Sequence, residues 1–264
     1  MTDDVSNEEF ELLISAVREA GATALSYYGN NPRTDTKADG TSVSEADHAA
    51  NDVLKHRLVT DHQAYGWLSE ESEDDKSRLK HSRVWMVDPI DGTRAFLKPA
   101  PEWTVSAGLV VDGSPVIAAV FNPVKDELFH ARAGGGTFLN DAPVSVREPV
   151  ELNGACLAAS PGLLRSSRWK QPWPNVRAVW VNSIAYRLAL VAAGMCDGTI
   201  SMSGKSDWDI AAADLLVREA GGRMTDHKGG SFTYNRDSTS QLSVVAAGPT
   251  LHAALLERTS QATN

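Results

Sequence analysis

At 264 residues, 42% hydrophobic and 22% charged, the chain has enough sequence for one large soluble domain or for two smaller ones, each with its own core. A formal net charge of −9 argues against a nucleic-acid polymer or an anionic membrane as partner, and leaves room for a small anionic substrate if cations mask the local charge. No apolar run approaches the roughly 18 residues that a membrane span needs, and the opening MTDDVSNEEF lacks the basic and apolar regions of a signal peptide. A cytoplasmic protein with no integral membrane segment is therefore expected.

Ser6-Asn7-Glu8-Glu9 reads as a capping box, and Phe10, Leu13, Ile14, Val17, Ala20, Ala24, Leu25 and Tyr28 then keep an apolar face, predicting a helix over 7–28. Ser44-Glu45-Ala46-Asp47 caps a second helix with Ala50, Val53, Leu54 and Leu58 on its buried side. Between them NNPRTDTKADGTSV is polar and turn-rich, and is expected to be mobile. Val84 to Val87 is an apolar strand that should end at Asp88, where Pro89 turns the chain. WTVSAGLVV, Asp112-Gly113 and PVIAAVFN read as a β-hairpin, and ELFHARAGGGTFLN as another with its glycines in the turn.

The stretch 141–153 is polar and strand-poor, and a soft domain boundary is placed there. Beyond it, elements alternate: strands at ACLAAS and VRAVWV, a helix at SIAYRLALVAAG, a strand at TISMS, a helix at WDIAAADLLVREAGG closed by glycine, strands at RMTD and LSVVAAG, and a helix at TLHAALLER. This mixing of helices and strands predicts layered α and β structure. Cys156 and Cys196 are too few and too far apart for a zinc pattern; two buried free thiols are expected, a single disulfide being the other arrangement. His48 and His56 fall in the second helix, and the remaining histidines in polar loops or the last helix, where surface placement is expected.

Three acidic places share a pattern, each at the end of a strand or the start of a helix: Glu70-Glu71 in WLSEES, Asp88 and Asp91 in VDPIDGT, and Asp209 in SDWDIAAA. Gly92 would let a ligand approach the backbone closely. If Glu70, Asp88, Asp91 and Asp209 converge, four like charges need cations or protonation. All-oxygen donors select Mg²⁺, Mn²⁺ or Ca²⁺ over zinc, and a pair of such ions suits phosphoryl chemistry. Taken singly, each aspartate also fits a turn or a helix cap, Asp209 at the helix it opens. Glu71, Glu73, Asp74 and Asp75 fit a solvated acidic loop. Composition and spacing alone therefore yield a candidate metal site and no more.

Together and in this order, WLSEES, VDPIDGTRAF and SDWDIAAADLLVREAGG strongly resemble the inositol monophosphatase family of Mg²⁺-dependent, lithium-sensitive phosphomonoesterases, over nearly the whole chain. The resemblance implies an α+β fold, a layered α/β/α/β/α sandwich, with an N-terminal half over 1–142 carrying Glu70 and the DPIDGT motif and a C-terminal half over 143–264 carrying Asp209 and the substrate-side loops. It implies Glu70, Asp88, Asp91, Asp209 and the carbonyl of Ile90 as ligands of two or three Mg²⁺ ions, with Mn²⁺ a substitute and Li⁺ and Ca²⁺ inhibitory. Thr93 would orient the attacking water with Glu70 and with support from Asp47. Gly92 and Thr93 N–H groups would cradle the phosphate at a helix start, and Lys37 would sit on a mobile loop near a third metal. Water would attack phosphorus directly and in line, with no phosphoenzyme. A homodimer is implied on the same ground.

Two local features bear on which ester is cleaved. Arg94 and Lys98 follow DGT, and PEWTVSAGLV resembles the stretch found there in bisphosphate nucleotidases; added cations suit a second phosphate. Inositol monophosphatases usually carry a Glu seven residues before the WD aspartate, and Met202 stands at that position, unable to accept hydrogen bonds as a carboxylate does. Lys205 could meet a 5′-phosphate or be an ordinary surface lysine. Trp103, Trp180 and Trp208 could stack on a purine, although core packing is the better expectation for each. The favoured reading is a 3′(2′),5′-bisphosphate nucleotidase acting on adenosine 3′,5′-bisphosphate, with inositol-1-monophosphatase next and histidinol-phosphate or fructose-bisphosphate hydrolysis behind it. A catalytically silent, metal-binding regulatory protein is the reading from another class; retention of Glu70 and Thr93 speaks against it.

Overall fold

The computed structural model describes residues 5–37, 40–59, 65–147 and 151–262. Residues 38 and 39 of the first connecting segment, His62, and 148–150 of the expected boundary lie outside the described residues. The capping box forms as expected. Ser6 Oγ accepts the Glu9 N–H at 3.1 Å and Glu9 Oε2 accepts the Ser6 N–H at 2.7 Å, opening α1 (Asn7–Tyr27). The polar segment after α1 contains two short strands that the sequence did not suggest. β1 (Thr34–Thr36) and β2 (Ser42–Ser44) pair as an antiparallel ribbon that leads into α2 (Glu45–Val59).

β3 (Gly66–Ser69), β4 (Arg83–Asp91), β5 (Thr104–Val111), β6 (Ser114–Asn122), β7 (Glu127–Arg132), β8 (Gly136–Leu139) and β9 (Ala142–Val144) form a seven-stranded sheet in that order. Its strands are antiparallel except β3, which runs parallel to β4. Both expected hairpins are present; Asp112 and Gly113 close the first with φ of 48° and 80°, the left-handed pair that a tight two-residue turn requires. β9 corrects the strand-poor reading of 141–153: an exposed edge strand of three residues with a proline at its centre is too short to show an alternation by which to recognise it.

β4 also corrects an expectation, since it runs on through Pro89 to Asp91 rather than ending at Asp88. Its pairing with β5 passes from Asp88↔Ser106 directly to Asp91↔Thr104, so β4 holds one more residue than its partner in that interval. A proline is tolerated in a sheet at such a bulge, where the ladder needs no N–H. A single-turn α3 (Thr93–Leu97) follows, too short to supply the sizeable helix dipole expected at its start.

The second half contains β10 (Cys156–Leu157), α4 (Pro161–Leu164), β11 (Arg177–Ala178), α5 (Ile184–Ala192), β12 (Gly198–Ser201), β13 (Lys205–Ser206), α6 (Asp207–Glu219), β14 (Arg223–Thr225), β15 (Ser240–Gln241), β16 (Val244–Ala247) and α7 (Pro249–Thr259). A five-stranded sheet runs β11-β10-β12-β16-β14, and β13 and β15 make a separate ribbon that the sequence did not suggest. On the larger sheet, Trp85, Val87, Leu109 and Ala119 point to α1 and α2, whereas Val84, Met86, Val110 and Ala118 point to α5 and α6. α5 and α6 also cover Val244 and Ala246 on one face of the smaller sheet, and Ile200, Val245 and Ala247 on its other face meet Leu251 and Leu255 of α7. The layers are therefore α/β/α/β/α. Among the described residues, no helix is long and apolar enough to cross a membrane.

Cys156 and Cys196 are free and buried, their sulfurs 3.8 Å apart. Surface placement fails for two histidines. His130 on β7 is buried, stacked on Phe138 and edge-on to Phe10, and His252 is buried on α7 with its ring nitrogen 3.0 Å from Thr225 Oγ1. Neither position differs in local sequence from an exposed one; the neighbouring layers decide it.

Candidate active site

β3, β4 and α6 converge where their ends meet. The Glu70 N–H donates to Val87 O at 3.2 Å, continuing the β3–β4 pairing by one residue and holding Glu70 beside the end of β4. Carboxylate oxygens of Glu70, Asp88 and Asp209 lie within 4.8 Å of one another. Asp88 Oδ1 accepts the Ile90 N–H at 3.0 Å across the bulge. Asp209 occupies the third position of α6, where its Oδ2 accepts the Ser206 N–H at 2.7 Å, so one carboxylate both closes the helix start and faces the cluster. Asp209 therefore acts as a helix cap and also lies beside Glu70 and Asp88.

Asp91 is held from the second half of the chain: its Oδ2 accepts the Ser183 hydroxyl and the Ala185 N–H, each at 2.6 Å, at the N-terminus of α5. Ser183 Oγ is tied in turn to Thr104 at 3.0 Å and to the Tyr186 N–H at 2.9 Å. Gly92 has φ +99°, a conformation that favours glycine, and a Cβ there would stand tightly at 3.1 Å from Glu102 O and 3.3 Å from Ser183 Cβ. Thr93 Oγ1 has two acceptors within reach of its single hydrogen, Ile90 O at 3.2 Å and Asp47 Oδ1 at 3.4 Å. Asp47 Oδ2 accepts the N–H and hydroxyl of Ser44 at 2.8 and 2.6 Å. Lys37 reaches across with Nζ 2.8 Å from Glu70 and 2.7 Å from Glu71.

Burial is the first cause of the shifted ionisation here, and like charge the second. Asp88 is raised well above the usual carboxylate range by burial and then by Glu70, Asp91 and Asp209. Burial lifts Asp91 to about 6 against the lowering effect of Ser183 and Ala185, and lifts Asp209 to about 7 with Asp91 adding to the rise. For Lys37 burial opposes the charge, yet the hydrogen bonds and charges of Glu70 and Glu71 outweigh it and raise the ammonium above its ordinary value. Hard oxygen donors at this spacing, with ionisation suppressed first by burial and then by like charge, fit a divalent cation of the Mg²⁺ type.

The solvated acidic loop is only partly so. Glu71 has a side chain 4% exposed on Lys37, and Asp74 pairs with Arg78 at 3.0 Å. A cavity of about 390 Å³ opens beside Asp91 and Asp209, lined also by Arg94, Arg168, Arg187, Lys205 and Met202. Lys205 Nζ lies 3.2 Å from Ser203 Oγ, at the cavity rather than on a remote surface. Trp103 is a fully buried core residue and Trp208 packs against the core, but Trp180 is 53% exposed at the cavity, with the Arg187 guanidinium 4.6 Å over its ring.

All the expected site residues thus lie in one region, Lys37 and Asp47 included. Ser183, Arg168 and Arg187 are additions. One signal points to the two arginines: between Glu151 and Asp197 there is no acidic residue, while Arg165, Arg168, Lys170, Arg177 and Arg187 all fall there.

The model of the inositol monophosphatase family matches residues 6–264. An inositol-1-monophosphatase of Rhizobium meliloti (strain 1021) is 36% identical over 230 residues, 83% of this chain and 85% of its own. Nus factor SuhB of Xylella fastidiosa is 33% identical over 228 residues, 83% of this chain and 82% of its own. The crystal structure of extragenic suppressor protein suhB from Bartonella henselae superposes with a TM-score of 0.79 at 30% identity, covering 94% of this chain and 96% of that one.

Proposed function

The chain belongs to the inositol monophosphatase family of phosphomonoester hydrolases, and within it we propose a Mg²⁺-dependent 3′(2′),5′-bisphosphate nucleotidase that converts adenosine 3′,5′-bisphosphate to AMP and phosphate. The observation that carries the choice of ester is the cavity wall: Arg94, Arg168, Arg187 and Lys205 beside an exposed Trp180, with Met202 where an acceptor of sugar hydroxyls would be needed. Cations suit a second phosphate, and a half-exposed indole suits a purine.

In this reading Glu70, Asp88, Asp91, Asp209 and the Ile90 carbonyl hold the ions, with 1–142 and 143–264 each supplying donors. Mg²⁺ so held supplies charge that acidifies a water and steadies the departing oxygen. Thr93 orients that water, its hydroxyl fixed by Asp47 and Ile90 O. Ser183 and the Ala185 N–H both occupy Asp91 Oδ2, which leaves Oδ1 for a cation. The Gly92 and Thr93 N–H groups receive the phosphate being cleaved, and Arg94 and Lys205 meet the phosphate that stays. Lys37 bridges Glu70 and Glu71 and, by the resemblance, would lie near a third ion. Sensitivity to Li⁺ and assembly as a homodimer belong to the same proposal and rest on the resemblance.

The relatives named inositol-1-monophosphatase favour a second reading, hydrolysis of inositol 1-phosphate. Those named Nus factor SuhB keep a regulatory role in view. The test is kcat/KM for adenosine 3′,5′-bisphosphate against inositol 1-phosphate in Mg²⁺, with and without Li⁺. At least a tenfold preference for the nucleotide is expected. A preference for the inositol ester reverses the assignment, and no phosphate release from either supports the silent, regulatory reading.

A further inference from the structure

Arg78 stands in a single 3₁₀ turn, Ser77–Lys80, with its side chain wholly out of solvent. Its Nε and Nη2 donate to the two oxygens of Asp74 at 3.0 Å each, and its Nη1 donates to Asn235 Oδ1 at 2.8 Å and to Arg236 O at 3.0 Å. Asn235 returns two bonds through Nδ2, to Arg78 O at 3.5 Å and His81 O at 3.3 Å. The Asn235 backbone N–H donates to Asp207 Oδ2 at 3.1 Å, and Gln241 Nε2 donates to Asp207 Oδ1 at 2.8 Å.

A buried guanidinium is tolerated only when its donors are matched, and here Nε, Nη1 and Nη2 each have an acceptor. β3 accommodates it because residue 66 is glycine; a Cβ there would lie 3.1 Å from Arg78 Cα. The two ends of the network sit next to the cluster along the chain. Asp74 lies on the loop that begins at Glu70, and Asp207 opens the helix whose third residue is Asp209. Arg78, Asn235 and Asp207 do not line the cavity, so the network has no contact with a substrate held there.

We propose that Arg78 is a positioning residue for the carboxylate cluster: by bridging Asp74 to Asn235, and through it to Asp207, it fixes the Glu70 loop against the first turn of α6 and sets the separation of Glu70 from Asp209. This rests on the reading of the cluster as a divalent-cation site. Loss of the bridge lets the two donors drift apart, and the cost falls on ion affinity before it falls on ester binding.

The test uses the full chain, with Mn²⁺ titrated by calorimetry and the Mg²⁺ dependence of phosphate release measured in parallel. Arg78→Met is expected to weaken Mn²⁺ binding about tenfold, as loss of supporting partners does at metal sites. Half-saturating Mg²⁺ should rise by a similar factor, with KM for the ester at saturating Mg²⁺ nearly unchanged. Asn235→Gly suits the φ of +57° and keeps the backbone N–H to Asp207, so it cuts the side-chain bridge alone and should weaken binding in the same direction. Leu255→Ala, a cavity in the fully buried core beneath α7, should lower the melting temperature and leave Mn²⁺ affinity unaltered.

If the wild type binds no Mn²⁺, the cation-site reading fails and this role with it. If the wild type binds and the folded Arg78 and Asn235 variants bind as tightly, the role of Arg78 alone is overturned. It is also overturned if Leu255→Ala weakens binding as much, since affinity would then follow general stability. Should Arg78→Met not fold, Asn235→Gly decides.

Discussion

Asp209→Asn separates the charge of the cluster from its hydrogen bonding. The amide oxygen can still accept the Ser206 N–H, which lies 2.7 Å from the carboxylate in the native chain, and the side-chain volume hardly changes, so α6 keeps its start. What disappears is a buried negative charge. Burial first, and Asp91 second, raise this carboxyl from 3.8 to about 7. A carboxyl with a folded pKa above its unfolded one is held protonated by folding, so the ion-free protein loses stability as pH rises from about 4 to about 7. A rise from 3.8 to about 7 corresponds, at about 1.4 kcal/mol per tenfold, to a cost on the order of 4 kcal/mol above pH 7, or less where Asp91 shares the titration. In EDTA at pH 8 the variant is therefore expected to melt several degrees above the wild type, at roughly 2–4 °C per kcal/mol for a chain of this size. The two should converge near pH 4. Mg²⁺ should invert the order, stabilising the wild type more, and phosphate release by the variant should fall by more than the ~100-fold that outer-shell changes reach. Melting curves from pH 4 to 8 with and without Mg²⁺, alongside phosphate release, decide the matter. A variant no more stable than wild type in EDTA at pH 8, or one equally stabilised by Mg²⁺, refutes the reasoning.

Thr93→Val keeps the volume but removes the hydroxyl that spans Asp47 and Ile90 O; kcat should fall about 10²–10⁴-fold with KM little changed in steady-state assays. Gly92→Ala forces a Cβ to 3.1 Å from Glu102 O at φ +99°, and should lower stability by roughly 1–3 kcal/mol in urea unfolding while abolishing phosphate release. Met202→Glu puts an acceptor, and a charge hostile to a second phosphate, in the cavity wall. The ratio of kcat/KM for adenosine 3′,5′-bisphosphate to that for inositol 1-phosphate should drop at least tenfold, and an unchanged ratio would count against the cavity as the substrate site.

The long periodic segments were legible because their burial is written in local spacing: α1 with its capping box, α6, and the β5–β6 hairpin with its Asp112-Gly113 turn. What was not legible depends on partners far away in sequence. The β13–β15 ribbon joins Lys205 to Gln241, and Trp180 stays outside the core because Arg187 and the cavity lie beside it. The acidic candidates could be named because each falls close to where an apolar strand pattern stops or a helical one starts, although Asp88 proves to lie within β4. Their supports could not: Ser183 meets Asp91, and Arg78 meets Asn235, only after the layers assemble. His130 and His252 illustrate the same limit, as burial by a neighbouring layer leaves no mark in the residues flanking them.

The bulge in β4 has a consequence in parity. Along a regular strand, residues an odd number of steps apart face opposite sides of the sheet, and Asp88 and Asp91 are three steps apart. Their partners on β5, Ser106 and Thr104, are two apart and share a side. The supernumerary residue turns an odd interval into an even one, so both carboxylates arrive at the same mouth. The bulge therefore matters as much as the letters of DPID: were these four residues to run as a regular strand, paired one for one with β5, Asp91 would face the opposite side of the sheet from Asp88.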